Sequence, residues 1–487
     1  VVLICNPDAG WADGSPSSVT AMIKQQALGA DDVGYLVVDL QDGRVIDGRN
    51  ADRAFVPGSV IKLATSLVAW RNLGAGFHFT TRLWQQGDDL YLQGGGDPVL
   101  TAADLQALAQ QVRRLKPTAI WRHFYIDATA VAASPLISDR QPLAADYNPG
   151  FGALNVDFNR LALDWTAAPT GKPLFRISSL ADELTVAADW LQLTPATDVL
   201  PAGAPFILAS PGSAIMPEAW QYDPDLAHAG LPPNGRMFLP VKQADLMTAL
   251  IFRAVAGQAG LALPPPQAAL VPPTATLLVT HDSPALPDLL RGLLRYSNNL
   301  SAELIGLANA TRLTGRVTSL AEAARQHVLW LAAYLTGTDW RSFRMINHSG
   351  LDGDNRATPR QMIRLLQEIA TDPLLAATLP VLRPTVDADL QQVGEVAQPP
   401  AGVAKGYVLS GKSGTMTYAA GLAGLVSAPN GQRFAYVIFM VDAKRRAALE
   451  AAFDPRILKP DEATRQWTRQ ARSLEAALLL HWFPDMR

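Results

Sequence analysis

A serine and a lysine three positions apart are the first residues whose types and spacing indicate chemistry. Ser59 and Lys62 open a segment that predicts a helix, which ends at Leu73 in front of Gly74. Residues three apart share one face of a helix, so the two side chains are expected to lie together. The helix is otherwise almost entirely apolar, which predicts burial, and burial disfavours the charged form of a lysine. A neutral lysine beside a serine activates that serine as a nucleophile; a surface lysine that follows a serine by chance is the alternative.

Two later motifs carry residues suited to the same chemistry. They are Ser297-Asn298-Asn299 and Lys412-Ser413-Gly414-Thr415. Taken alone, the first is typical of a helix cap, and the second, which follows a predicted strand, is typical of a turn. In this order, however, the three motifs match the Ser-x-x-Lys, Ser-x-Asn and Lys-Thr/Ser-Gly set of β-lactamases and penicillin-binding proteins. The combination predicts acyl transfer through Ser59 more strongly than any one motif does.

Over most of its length the chain resembles the class C low-molecular-mass penicillin-binding proteins, the penicillin-binding protein 4 type of D-alanyl-D-alanine carboxypeptidase and endopeptidase. Beyond the three motifs, the likeness is carried by Leu90-Tyr91-Leu92, Gly95-Gly96-Asp97-Pro98, Ala153-Leu154-Asn155-Val156-Asp157, Leu300 with Ala302-Glu303, Ser349-Gly350-Leu351, Asn355-Arg356 and Ala423-Gly424. The family has a long insertion between its first two motifs, and the interval 59–297 is far too long for a β-lactamase. The chain departs from the family in two motifs. It has Asn347-His348-Ser349-Gly350-Leu351-Asp352 where the family usually has Asp-Gly-Ser-Gly-Leu-Ser, and Ser413 replaces the more usual threonine but keeps the hydroxyl.

The resemblance implies a catalytic role for five side chains. Ser59 would attack the carbonyl between two D-amino acids of a peptidoglycan stem peptide, and Lys62 would accept its proton. Burial and the positive charge of Lys412 would keep Lys62 neutral. Ser297 would pass a proton to the leaving amine, and Asn299 would hold both the substrate amide and Lys62. Water would then hydrolyse the acyl-enzyme, β-lactams would acylate the same serine, and no metal or cofactor is expected.

The resemblance also implies a set of substrate-binding groups. The backbone N–H groups of Ser59 and Thr415 would form the oxyanion hole. Ser413, Gly414 and Thr415, with the neighbouring lysine, would bind the terminal carboxylate. Asp157 lies where the family places a residue that faces the diamino-acid side chain, so its carboxylate would pair with the ammonium of meso-diaminopimelate. The alternative for Asp157 is a turn-forming role together with Asn159.

Other kinds of protein share parts of this pattern. Residues 406–413 fit a phosphate-binding loop, but poor helix formers follow Ser413 and too little chain remains for a nucleotide-binding sheet. An ordinary serine hydrolase would have a Gly-x-Ser-x-Gly elbow, which is absent, and His348 is expected to be a turn residue. Tyr296-Ser297-Asn298 also fits the Tyr-x-Asn motif of some β-lactamases. A β-lactamase-like hydrolase and a non-catalytic cell-wall-binding relative therefore stay as the alternatives.

Composition narrows the class of protein further. The chain has 487 residues, of which 48% are hydrophobic and 17% charged, as is usual for globular proteins. Its net charge of −3 gives no basic surface for nucleic acid, and no apolar run is long enough to span a membrane. Cys5 is the only cysteine, which excludes a disulfide within the chain. The apolar run Val1–Cys5 is either the end of a signal peptide cleaved near Ala12 or a first strand.

The expected location follows from the substrate. We expect an exported protein of the periplasm or cell envelope, and a peripheral association with membrane or wall is compatible with this. The sequence indicates no oligomeric state.

The order of the predicted strands and helices along the chain indicates an α/β fold. Two hairpins are expected at 33–48 and 81–92, and helices from 284 to 370. Strands at 407–409, 422–426 and 434–441 precede a final amphipathic helix at 463–482. Strands from both ends of the chain would form one antiparallel sheet flanked by helices, the penicillin-recognising serine transpeptidase-like domain.

The middle of the chain predicts a large β-rich insertion. It is rich in proline and shows one clear helix, at about 242–256. We expect the catalytic domain at 1–78 and 281–487, an inserted domain at 79–164 and 242–280, and a nested domain at 165–241.

Overall fold

The structure is a computed structural model of the chain. It describes residues 16–167, 173–180, 185, 190–213, 216–228, 230–382, 406–458 and 462–486. The expectations for Val1–Cys5 and for cleavage near Ala12 lie outside the described residues.

The helices and strands follow one another in a mixed order. The first half contains α1 (Pro16–Gln25), β1 (Val33–Asp39), β2 (Val45–Arg49), α2 (Lys62–Leu73), β3 (Thr80–Gln86), β4 (Asp89–Gln93), α3 (Ala102–Leu115), β5 (His123–Asp127), β6 (Arg160–Ala167), β7 (Pro173–Ser178), β8 (Leu191–Pro195), β9 (Phe206–Ser210), β10 (Glu218–Tyr222) and β11 (Asn234–Pro240). The second half contains α4 (Ala244–Gln258), β12 (Pro266–Ala268), β13 (Thr276–Asp282), α5 (Leu286–Tyr296), α6 (Asn299–Thr314), α7 (Leu320–Tyr334), α8 (Pro359–Ala370), α9 (Pro373–Ala376), β14 (Val408–Met416), β15 (Ala419–Ser427), β16 (Arg433–Val441), α10 (Ala443–Ala451) and α11 (Glu462–Trp482).

Strands from both ends of the chain form one antiparallel sheet, in the order β14-β15-β16-β1-β2. Every residue of β1 is buried, as are nearly all of β15 and β16, because helices cover both faces. The core on one face includes side chains of α2, α5 and α8, and the core on the other includes side chains of α1 and α11. The predicted fold class is confirmed.

The described residues of the insertion form three smaller sheets. Their orders are β12-β5-β4-β3-β13, β11-β6-β7 and β8-β10-β9. One hydrophobic core runs through all three and includes Leu83, Leu163 and Trp220. The expectation of a single clear helix here was wrong, because α3 packs its apolar stripe into this core and begins at a capping box of Thr101 and Asp104.

The expected domain boundaries stay a prediction, but two of them divide strands. The boundary between residues 164 and 165 falls inside β6, and that between 280 and 281 falls inside β13. A domain boundary is not expected inside a strand, because the residues of one strand share one hydrogen-bonded ladder. We therefore propose that the nested unit begins with β6, at Arg160.

Candidate active site

The first motif lies where a tight turn becomes a helix. Residues Gly58–Ile61 form a 3₁₀ turn, and α2 begins at Lys62 rather than at Ser59. In a 3₁₀ turn, side chains three apart eclipse one another more closely than in an α-helix. The Nζ atom of Lys62 accordingly lies 2.8 Å from Ser59 Oγ.

Lys62 is fully buried and has three oxygen neighbours. Its Nζ atom lies 2.8 Å from Ser59 Oγ, 2.8 Å from Asn299 Oδ1 and 2.7 Å from the carbonyl oxygen of Ser349. An ammonium could donate to all three, but a neutral amine has two N–H groups and one lone pair. The carbonyl and amide oxygens can only accept. In the neutral state, the Ser59 hydroxyl must therefore donate to Lys62, which is the arrangement of a nucleophile and its general base.

The surroundings of Lys62 favour its neutral form. Burial and the positive charge of Lys412 hold the pKa of Lys62 well below its ordinary value, and the charge of Glu303 acts in the opposite direction. Lys412 is itself buried and donates to the carbonyl oxygen of Ser413 at 2.7 Å.

The second motif occupies the turn between α5 and α6. Ser297 ends α5 in the left-handed region, with φ 53° and ψ 33°, and Asn298 caps α6 by accepting from the Ser301 N–H at 2.9 Å. Asn299 donates through Nδ2 to the carbonyl oxygen of Tyr147 at 3.0 Å, which orients its Oδ1 toward Lys62. Within the described part of the chain, the Ser297 hydroxyl makes no hydrogen bond. The second motif thus reaches Lys62 through Asn299.

The third motif lies in edge strand β14 and not in the turn of which the motif alone is typical. A Cβ atom on Gly414 would lie 2.5 Å from the Pro57 oxygen and 2.8 Å from the Ser59 nitrogen, so only glycine fits. A Cβ atom on Gly58 would lie 3.4 Å from the Thr415 nitrogen. The backbones on either side are therefore in contact, which brings the N–H groups of Ser59 and Thr415 to neighbouring positions. A phosphate-binding loop is excluded because Lys412 and Ser413 lie within a strand instead of preceding a helix.

A buried carboxylate supports this site, and its role was not predicted. Glu303 accepts from the backbone N–H groups of His348 and Ser349 and contacts His348 Nδ1, each at 2.9 Å. Burial alone would raise the pKa of Glu303, but these bonds outweigh it and hold the pKa below its ordinary value. Glu303 thereby fixes the segment whose Ser349 carbonyl binds Lys62. The sequence carried only a weak signal, a glutamate four positions after Asn299 on the same helix face.

The Asp157 carboxylate contacts backbone groups that lie outside the three motifs. The carboxylate is buried, and its two oxygens accept from the backbone N–H groups of Ala102 and Leu180, each at 3.3 Å. Residues 157–159 have positive φ angles of 51°, 58° and 53°, and Asn159 Oδ1 accepts from the Val156 N–H. These contacts favour the turn-forming role over pairing with a substrate ammonium.

The described residues offer neither a metal centre nor a membrane-crossing helix. Among those residues, no group of three or more histidine, cysteine, aspartate or glutamate side chains is arranged to hold a metal ion. None of the helices in the described ranges combines the length and apolar character that a membrane crossing requires.

Known proteins share both the sequence pattern and the fold. The model of the D-Ala-D-Ala carboxypeptidase 3 (S13) family matches residues 16–197 and 242–456. A D-alanyl-D-alanine carboxypeptidase of Actinomadura sp. (strain R39) is 25% identical over 447 residues, which cover 85% of this chain and 78% of that protein. Penicillin binding protein 4 from Haemophilus influenzae is 20% identical in sequence, and its crystal structure matches this one with a TM-score of 0.70. The match covers 95% of this chain and 99% of that one. The same protein complexed with a novel β-lactam gives a TM-score of 0.69.

Proposed function

Because the chain belongs to the D-Ala-D-Ala carboxypeptidase 3 (S13) family, it is a serine DD-peptidase, and we propose that Ser59 is its nucleophile. The match confirms the family resemblance drawn from the sequence. The observation that carries the proposal is the 2.8 Å contact between Ser59 Oγ and the buried Lys62 Nζ. Asn299 and Ser349 orient the amine, and β14 faces the serine backbone.

Acylation begins with a proton transfer across that contact. Neutral Lys62 takes the Ser59 proton as the oxygen attacks the carbonyl carbon between two D-amino acids. The carbonyl oxygen becomes an oxyanion, which the N–H groups of Ser59 and Thr415 stabilise. As the tetrahedral intermediate collapses, the C–N bond breaks and the leaving amine needs a proton. We propose that Ser297, whose hydroxyl makes no hydrogen bond within the described part of the chain, relays that proton from Lys62.

Deacylation reverses the proton movements with water in place of the amine. Lys62 takes a proton from water, which attacks the ester carbonyl, and the proton then returns to Ser59. Lys412, Ser413 and Thr415 bind the terminal carboxylate of the substrate, and Gly414 lets β14 approach the serine. A role of Asp157 in binding the ammonium of the diamino acid stays a prediction, and the backbone N–H groups from which its oxygens accept favour the turn-forming role.

We propose two further properties of this chain. β-Lactams acylate Ser59, which is in keeping with the β-lactam complex of the Haemophilus influenzae protein. The enzyme is exported, because peptidoglycan lies outside the cytoplasmic membrane.

The proposed nucleophile is tested by D-alanine release from a peptide that ends in D-Ala-D-Ala. Wild-type protein should release D-alanine, and Ser59→Ala and Lys62→Met should release it at least about a thousandfold more slowly, as when other nucleophiles and bases are removed. Activity of Ser59→Ala near the wild-type rate would refute the assignment. Rapid turnover of penicillin without a lasting adduct would instead favour a β-lactamase-like hydrolase.

A further inference from the structure

The peptide unit between Gly414 and Thr415 is contacted from two sides. Its carbonyl oxygen, on Gly414, accepts a hydrogen bond from Arg472 Nη2 at 3.1 Å. Its nitrogen, on Thr415, lies on the side of Gly58. In a planar trans peptide the C=O and N–H bonds point in opposite directions. The Thr415 N–H therefore points away from Arg472 and toward the segment that carries Ser59.

Arg472 comes from the opposite face of the central sheet. It lies on α11, whose apolar side chains pack on the face that α2 does not cover. Arg472 is 8% exposed and Glu475 is 1% exposed, and Nη1 of the arginine donates to both carboxylate oxygens, at 2.6 and 2.8 Å. A buried guanidinium needs such a counter-charge. The pairing fixes the guanidinium plane and leaves Nη2 to contact β14.

The same Nη2 atom also donates to the hydroxyl of Thr415. A hydroxyl has one proton to donate and two lone pairs. Since Arg472 occupies a lone pair, the proton of Thr415 is left for another acceptor, such as a substrate carboxylate. A single guanidinium thus orients both donors of Thr415.

We infer that Arg472 is a positioning residue for acyl transfer, whose guanidinium orients and polarises the Gly414–Thr415 peptide as an oxyanion-hole donor. A cation on the carbonyl oxygen draws electron density from the amide nitrogen, which makes the N–H a stronger donor. The inference rests on the proposed function, because the oxyanion forms only when Ser59 attacks a carbonyl carbon.

The test uses the full chain and a matched set of variants. Arg472→Met combined with Glu475→Leu removes both buried charges together, so that neither is left unpaired. Arg469→Met is the control, because Arg469 is an exposed arginine of the same helix that pairs with Glu462. Arg472→Lys keeps the charge beside Glu475 but loses the planar guanidinium geometry. Circular dichroism and thermal unfolding establish which variants are folded.

Two measurements report on the oxyanion hole itself. Stopped-flow mixing with a chromogenic cephalosporin separates the acylation rate constant from the dissociation constant of the preceding complex. Infrared difference spectra give the stretching frequency of the ester carbonyl in the acyl-enzyme, which falls as hydrogen bonds to the carbonyl strengthen. A change in folding stability alone would not move that frequency.

We expect the double variant to be acylated about tenfold to a hundredfold more slowly than the wild type. This loss is smaller than the roughly 10²–10³-fold loss of rate when an oxyanion-hole donor is removed outright. Its ester carbonyl should absorb at a higher wavenumber than in the wild type and in Arg469→Met, and Arg472→Lys should fall between. A folded double variant, or a folded Arg472→Lys, with wild-type frequency and rate constant would overturn the inference. A wild-type protein that forms no acyl-enzyme would overturn the proposed function, and this inference with it.

Discussion

At the residue scale, two buried charges of opposite sign act on Lys62. Lys412 lowers the pKa of Lys62 in addition to burial, and Glu303 raises it. Acylation needs neutral Lys62, so its rate should fall as pH decreases through the pKa of Lys62. The position of this acid limb therefore reports directly on Lys62.

Replacing Lys412 should move the acid limb to higher pH. Lys412→Met removes the positive charge that disfavours protonation of Lys62, so the pKa of Lys62 rises and less neutral amine is present at a given pH. The measurement is the penicillin acylation rate constant between pH 5 and pH 10. Lys444→Met, which alters an exposed lysine, is the control. A limb that stays in place or moves to lower pH would show that Lys412 does not tune Lys62.

Replacing Glu303 should move the same limb the other way. Glu303→Gln removes the negative charge that favours protonated Lys62, so the pKa of Lys62 falls and the limb moves to lower pH. The amide also places an NH₂ group where Glu303 accepts from His348 or Ser349, which should lower the free energy of unfolding by about 1–3 kcal/mol. The pH profile and a urea titration measure the two effects. A shift in the same direction as that of Lys412→Met would contradict the account.

Among the contacts between elements, Gly350 lets the segment 347–350 lie against the 3₁₀ turn that carries Ser59. Gly350 has φ +81°, and a Cβ atom there would lie 1.9 Å from the Gly58 oxygen. Gly350→Ala should therefore displace the 3₁₀ turn that carries Ser59, with losses of both stability and acylation rate.

Comparison with Gly337→Ala separates the effect of the steric clash in Gly350→Ala from the effect of backbone strain. Gly337 has φ +83° but nothing within 4 Å of a Cβ atom, so its replacement costs only the strain of a positive φ, about 1 kcal/mol. Thermal unfolding and penicillin acylation of both variants are the measurements. Equal effects of the two replacements would mean that the contact with Gly58 does not matter.

Elements with a local signal could be predicted, and elements defined by distant contacts could not. The hairpin of β1 and β2 was predicted from Asp42-Gly43, and Gly43 indeed has φ +76°. The third motif alone is typical of a turn, yet it pairs with β15 and therefore lies within β14. The helix α11 was predicted, but its contact with β14 depends on tertiary packing, so Arg472 was missed.

At the scale of the whole molecule, the insertion and the catalytic sheet have separate hydrophobic cores. Phe252 of α4 and Phe439 of β16 are both fully buried, one in each core. The core of the insertion also continues through the proposed nested unit, which no sequence pattern indicated. Disruption of one core should therefore leave the other largely intact.

Two phenylalanine replacements test this separation. Each of Phe252→Ala and Phe439→Ala should cost about 3–5 kcal/mol of local stability. Hydrogen exchange read by mass spectrometry should rise in β3–β5, α3 and α4 for the first variant, which keeps near-normal acylation by penicillin. For the second variant it should rise in the central sheet, with slower acylation. Equal exchange throughout the chain in both variants would show one cooperative unit instead.

Mass spectrometry after exposure to benzylpenicillin locates the residue that forms the acyl-enzyme, which we propose is Ser59. Trypsin releases the nucleophile in the peptide from Ala54 to Lys62, so the modified residue can be located by fragmentation. We expect a single penicilloyl adduct on Ser59 in the wild-type protein and none in Ser59→Ala. An adduct on any other residue, or one that persists in Ser59→Ala, would contradict it.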